Sequence, residues 1–435
     1  MTDPIWIGLG FLAGMLVLIA LGIPIAFAML ATGTVGLVVV EGFRAAESQL
    51  LLNFWGQSTA FVLTAVPLYI LMGQLVHSTR IASDLYEAVY KWVGWMPGGL
   101  AITSVLACAG FGAVSGGSAT AVATLGPMCM PEMQRYRYSQ RLAAGSIASA
   151  GTLGILIPPS IILVVYGVWT ETSIGHLFIA GIIPGIVLTL LFTIVILGQC
   201  ALRPELGPPG PHFPWGERIR SLSKVLPIFA VFVLVIGGIY AGAFDPSEAA
   251  AIGVAGILII ALVMRRIDLR SLKQALLGTM HTSAMLFLII TGGHVVGRFV
   301  VQTHLTSSAV AALEVMHLPA LATIAMFTLM YLVLGMILDV WAMLILTIPF
   351  VFPLIVNLHM DPVWFGVYVT VMSEVALITP PVGVNVYVMA KVAPDVPLVE
   401  IFRGIVPFFF AVMVLIALIT VFPRMVTWLP EFAFG

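Results

Sequence analysis

FGAVSGGSATAVATLGPMCMPEM (residues 111–133) and VLGMILDVWAMLILTIPFVFPLI (residues 333–355) share little identity, yet their prolines keep one offset. Pro127 pairs with Pro349 and Pro131 with Pro353, each 222 positions apart. The offset continues where ILIPPSIILVVYG (155–167) lies opposite LITPPVGVNVYVM (377–389), pairing Pro158 with Pro380 and Pro159 with Pro381. Proline cannot continue a helical hydrogen-bond ladder. An apolar chain with helix breakers at matching places in two halves therefore points to a secondary transporter, whose site is built from interrupted helices where the repeats meet.

Composition identifies the solvent. Of the 435 residues, 61% are hydrophobic and 9% charged, and the mean hydropathy is +1.13. At about 20 apolar residues per crossing, the chain holds roughly ten to twelve spanning segments plus re-entrant pieces. The first apolar stretch, from Ile5, has no basic leader and no small-residue cleavage site, so it reads as a retained helix. Cys108, Cys129 and Cys200 sit in apolar runs without ligand spacing and read as packing residues.

Charge sets an expected orientation. With the N-terminus outside and segments at 5–21, 24–40 and 60–78, one side receives 15 of the 18 basic residues, from Arg80 and Lys91 to Lys391 and Arg403. The other side keeps Arg44 and Arg424. The crowded side is expected to be cytoplasmic. The Pro-rich linker 201–222 then lies inside, between a first repeat (1–200) and a second (223–435) of inverted topology, and both termini face outward.

In residues 100–135, two apolar runs too short to span flank Gly110–Ser118, which describes a re-entrant hairpin with an unwound tip. Non-helical backbone in the hydrocarbon region survives only where protein buries it or a wet cavity solvates it. Its carbonyls and hydroxyls suit an alkali cation, and the helix starting near Ser118 points its amide end at the same place, which suits an anion. Residues 142–170 form a helix broken at Pro158-Pro159, with Gly151 and Thr152 just before the break. The second half repeats the pattern, with a hairpin at 325–357 and a helix at 363–391 broken at Thr379-Pro380-Pro381. Its turn, Gly335 to Asp339, puts an acid opposite Gly117; a membrane-buried Asp is costly unless it pairs or functions.

Arg298 is the one basic residue inside a membrane segment, able to pair with a substrate carboxylate, snorkel outward or neutralise an acid. His294, one turn away, reads as a packed histidine. Glu374 reads as an ion-pair partner within the bundle or a support for a cation site. Segments 79–98 and 266–280 mix charges with Leu, Tyr and Trp and read as interfacial arms, Trp92 and Trp95 suiting the aromatic belt. GxxxxGKS/T, HExxH and GxSxG are absent, so neither ATP hydrolysis nor membrane-embedded hydrolysis is expected.

From about residue 10 to residue 428 the chain resembles the large membrane subunit of tripartite ATP-independent periplasmic (TRAP) transporters, DctM type. The resemblance is carried by PEMQRYRYSQRLAAGSIASAGTLGILIPPSIILVVYG (131–167), SIGHLFIAGIIPG (173–185), LGMILDVWAMLILTIPFVFP (334–353), DPVWFGV (361–367) and LITPPVGVN (377–385). Two departures stand out: Ser115-Gly-Gly-Ser118 replaces the Ser-Gly-Ser-Ser of many relatives, and Arg135-Tyr-Arg-Tyr138 replaces Arg-Gly-Tyr.

The resemblance implies an all-α polytopic membrane protein of two inverted repeats, with a hairpin and a broken helix in each, and an elevator division into transport and scaffold domains. It implies no enzyme and no cofactor, with Na+ as coupling ion. The partners it implies are a small membrane subunit (DctQ type), a periplasmic substrate-binding protein (DctP type) and an organic acid, in the bacterial inner membrane. A stand-alone symporter of related fold, needing no binding protein, is the alternative. Sodium contacts carried over by motif are Ser115, Gly116, Ser118, Gly151 and Thr152 at the first tip, and Gly335, Asp339, Thr379, Gly383 and Asn385 at the second. Substrate contacts assigned around them are Gly117, Ser118, Pro159 and Pro381, with Arg298 as the candidate carboxylate partner.

Overall fold

The computed structural model describes residues 4–79, 81–308, 311 and 319–434, so Arg80 and Gly435 lie outside the described residues. Every regular element in them is helical, which satisfies the backbone within each segment, one of the two ways open to a chain in hydrocarbon. The first half holds α1 (Pro4–Ala20), α2 (Ile25–Glu41), α3 (Phe43–Thr59), α4 (Ala65–Ser78), α5 (Ile81–Val93), α6 (Gly99–Ser115), α7 (Ser118–Arg135), α8 (Gln140–Ala150), α9 (Leu153–Leu156), α10 (Ile161–Thr170) and α11 (Ile174–Leu202). The second holds α12 (Trp215–Tyr240), α13 (Pro246–Val263), α14 (Leu269–Gln302), α15 (Ala320–Ile337), α16 (Val340–Asn357), α17 (Pro362–Ile378), α18 (Val384–Val392), α19 (Leu398–Val421) and α20 (Arg424–Phe434). Nine of the described helical segments are long and apolar enough to cross a membrane.

The proline offset extends to helix ends. α7 and α16 begin at 118 and 340 and end at 135 and 357, and the stretch α8–α9 (140–156) matches α17 (362–378), all 222 apart. Local chemistry sets these boundaries. Asp361 caps α17, its Oδ1 accepting from Trp364 N at 2.8 Å, and Pro362 follows at the first position, where a missing N–H costs nothing. Asp245 opens α13 with a capping box completed by Glu248, and Asp268 caps α14 through Ser271 N at 2.7 Å.

The broken helices lie innermost. Within the candidate span 140–170, 94% of the apolar window is buried, against 28% for α12 and for α15; the outer helices leave their faces for lipid. Small residues let the inner helices approach, as expected where lipid tails compete for every apolar contact. A Cβ added to Gly404 of α19 would sit 3.1 Å from Gly145 Cα of α8.

The structure differs from the sequence expectations at three places. The unwound part of the first tip is only Gly116 and Gly117, because α6 stays helical through Ser115. Residues 266–280 are no separate arm: α14 runs unbroken for 34 residues, with no proline to interrupt it. The linker ends early, since α12 already begins at Trp215. Segment 79–98 does contain a strongly amphipathic helix, α5, which buries Ile81, Leu85 and Tyr86. Trp92 there is half-buried edge-on against Trp215, whereas Trp95 is exposed.

Candidate functional site: two hairpin tips around one cavity

At the first tip, α6 ends on Gly116, whose left-handed φ of 61° suits glycine and whose N–H reaches Gly112 O at 3.0 Å. Gly117 is extended and makes no side-chain cap, so α7 starts at Ser118 with an open amide end. The tip rests on the proline break: a Cβ on Gly116 would lie 2.8 Å from Pro159 O. Ser115 Oγ is buried and has no hydrogen-bond partner.

Just before that break the helical ladder slips. Thr152 N–H bonds Ser149 O at 3.0 Å, and the Thr152 hydroxyl donates to the same carbonyl at 2.8 Å. Ala148 O instead accepts from Asn385 Nδ2 at 3.0 Å. The fully buried Asn385 amide also pairs with Ser118 Oγ, at 3.0 Å through Oδ1 and 2.7 Å through Nδ2. Gly151 completes the cluster, for a Cβ there would lie 3.1 Å from Ser118 O and 3.3 Å from Asn385 Nδ2. Ser160 caps α10, and its hydroxyl donates to Ile155 O across the break. Both Pro-Pro bonds are cis.

Asn385 is thus misplaced by motif order. Motif order puts it at the second tip, but α18 packs on α7 and α8, which delivers the second half's asparagine to the first half's tip. No one-dimensional pattern carries that crossing.

At the second tip, Leu338 is extended and Asp339 caps α16, Oδ1 accepting from Ala342 N at 3.0 Å. Gly335 lets α15 lie on α17: a Cβ would come 2.8 Å from Ala376 Cβ. At the matching break, Thr379 Oγ1 donates to Val375 O at 2.9 Å. Gly383, with a left-handed φ of 32°, then starts α18.

The two tips share one cavity of about 340 Å³, whose wall includes Ser115, Gly116, Gly117 and Ser118 from the first and Asp339 from the second. Gln74 of α4, and Thr282 and Met285 of α14, face them. The other predicted residues support the wall from behind or lie elsewhere. Thr379 opens on a separate apolar cavity beside Phe402 and Phe409, and Pro159, Pro381, Gly151, Thr152, Gly335, Gly383 and Asn385 do not line the shared one. Arg298 is exposed on α14 and makes no ion pair among the described residues. A run of alternatives around one basic residue gave the sequence no way to settle its direction.

His294 is packed, as expected: its ring stacks on Trp169 at 4.6 Å, and Nδ1 pairs with Ile290 O at 2.9 Å. Glu374 has no ion-pair partner among the described residues. It is fully buried beside Thr152, and neither carboxylate oxygen is hydrogen-bonded. Sequence reasoning missed Gln74 and Thr282, polar residues on otherwise ordinary apolar helices. The described residues hold no cluster of three or more His, Cys, Asp or Glu side chains, so any cation here would be held by carbonyls, hydroxyls and Asp339, an all-oxygen set suited to a hard cation.

Paired broken helices and hairpins around a central cavity, in a chain this apolar, define a polytopic membrane transport protein. The sequence profile of the family described as "Tripartite ATP-independent periplasmic transporter, DctM component" matches residues 12–425, and the chain belongs to that family of large permease subunits. It is 34% identical to the C4-dicarboxylate TRAP transporter large permease protein DctM of Pseudomonas aeruginosa, over 88% of this chain and 89% of that one. It is 30% identical to the sialic acid TRAP transporter large permease protein SiaM of Vibrio cholerae, over 98% and 99%. The ectoine/5-hydroxyectoine permease UehC of Ruegeria pomeroyi is 28% identical over 97% and 98%. Among solved structures, the YdaH transporter of Alcanivorax borkumensis has the same fold, with a TM-score of 0.63 at 15% identity, covering 97% of this chain and 98% of that one.

Proposed function

We propose that this permease imports an organic acid by sodium symport, receiving it from a periplasmic binding protein and working beside a small membrane subunit. The observation that carries the reading is the convergence of both hairpin tips on one cavity, with Asn385 tying the second half into the first tip. Sodium bound among the tip carbonyls, Ser115, Ser118 and Asp339 would neutralise the acid and order both tips. The loaded core then crosses at lower cost than the empty one. Pro159 would set the back of the first tip, through its contact with Gly116.

The chain would sit in the bacterial inner membrane as two inverted repeats, moving as an elevator against a scaffold that includes α4 and α14. Ion pairs support placing the basic segments together on one side of the membrane. Lys224–Glu87 at 2.9 Å, Arg141–Glu400 at 3.1 Å and Arg266–Asp84 all join residues that the charge bias puts on one side. The relatives named above take a dicarboxylate, a sialic acid and an ectoine, which supports solute uptake and leaves the particular solute to this chain's own pocket.

The test is uptake into proteoliposomes containing this chain and its small subunit, given binding protein and labelled acid, with and without an inward sodium gradient. Uptake requiring both sodium and binding protein is expected. Uptake without binding protein would replace this reading with a stand-alone symporter, and sodium-independent uptake would remove the coupling ion.

A further inference from the structure

Resting on that reading, we infer that the pocket takes a monocarboxylate with an apolar body, and disfavours dicarboxylates and polyhydroxylated acids. The cavity has one place built for an anion. The amide end of α7 at Ser118 is uncapped and opens beside Ser115, a residue only 4% exposed whose hydroxyl is unpartnered. The corresponding end of α16 is already occupied by an acid, since Asp339 Oδ1 accepts from Ala342 N.

Asp339 is the one charged side chain on the wall, and no Lys, Arg or His among the described residues lines it. A first carboxylate finds amide donors and a neutralising cation at the tips. A second would face Ile155, Ile162, Met285, Leu286, Trp341 or Leu377, where a carboxylate finds no cation and no donor beyond the Trp341 indole N–H. The remaining neutral polar side chains, Gln74, Thr120 and Thr282, make no hydrogen bond to another described residue. They can pair with a few oxo or hydroxyl groups but bring no charge, short of the many polar groups of a sugar acid.

Thermal unfolding of the purified full-length chain, in sodium and in choline buffer, reads the pocket without any binding protein. The probes are 4-methyl-2-oxopentanoate, succinate and N-acetylneuraminate at equal concentration. Expected is a sodium-dependent rise in Tm with 4-methyl-2-oxopentanoate, with apparent affinity at least about tenfold above that for the other two. A larger shift with succinate or N-acetylneuraminate would overturn the inference while leaving sodium symport standing. No sodium-dependent shift with any of the three would remove both. In Met285→Lys, a base placed in the apolar wall is expected to raise affinity for succinate relative to 4-methyl-2-oxopentanoate; an unchanged ratio would count against the pocket's charge as the cause.

Discussion

Asn385 makes the most consequential contacts of any single side chain here, because it satisfies groups from two other helices at once. Asn385→Ala would leave the buried Ser118 Oγ and Ala148 O without their partner. At roughly 1–3 kcal/mol per unpaired buried group, a loss of about 2 kcal/mol or more is expected. Thermal unfolding would show it as a lower Tm, and sodium activation of uptake should shift to higher concentration; unchanged values of both would remove Asn385 from the site. Glu374 presents the opposite case. No cation pairs with it among the described residues and its oxygens have no hydrogen-bond partner, so Glu374→Gln, which keeps the shape and removes the ionisable group, is expected to leave Tm unchanged or higher. A drop of several degrees would reveal a partner for the charge. Arg298→Ala, on an exposed site away from the cavity, is expected to retain uptake.

At the scale of elements, the proline breaks matter through what leans on them. The first tip lies on the first break with only glycine between, so Gly116→Ala combines a left-handed backbone that alanine resists with a Cβ 2.8 Å from Pro159 O. Loss of uptake is expected with the protein still inserted, as membrane fractionation would show. Wild-type uptake would mean that the tip has slack. Helix α5 gives a pH prediction. Glu87 bonds Lys224 at 2.9 Å and Lys91 at 3.0 Å, and these partners, Lys224 first, hold its carboxyl below the ordinary value. A depressed carboxyl contributes stability that is present above its unfolded pKa and lost as pH falls through the lowered folded value. With Glu87 partly exposed, that contribution is at most about 1 kcal/mol. The Tm gap between wild type and Glu87→Gln should therefore close in the acid range, and a gap independent of pH would mean the pairs do not stabilise.

For the whole molecule, the recurrence of helix boundaries at one offset and the basic bias together give an orientation that a fusion can test. A reporter active only in the cytoplasm is expected to be silent when fused after Phe434 and active when inserted in the 203–214 linker. The reverse pattern would invert the topology, and activity at both sites would break the inverted-repeat scheme. The innermost position of α8–α10 also explains why one broken helix can serve the cavity and the core packing together: its ends are buried in protein, so its freed carbonyls find partners that lipid could not offer.

Some of this was legible in the residues alone. Composition and the length of the apolar runs pointed to helices, because runs of about 20 apolar residues without alternation suit a spanning helix and not the alternating strands of a barrel. The repeated prolines located both breaks, because proline's missing N–H acts locally wherever the chain goes. Glycine at 116 and aspartate at 339 marked the tips for equally local reasons, left-handed backbone and helix capping. What only the tertiary structure decided is which groups from distant segments meet: Asn385 with Ser118, Asp339 with Ser115 across one cavity, Gln74 and Thr282 as its far wall, and Arg298 outside it. Hydropathy distinguishes membrane from water but not one apolar helix face from another, so the partners of each face are fixed by close packing between helices remote in the chain.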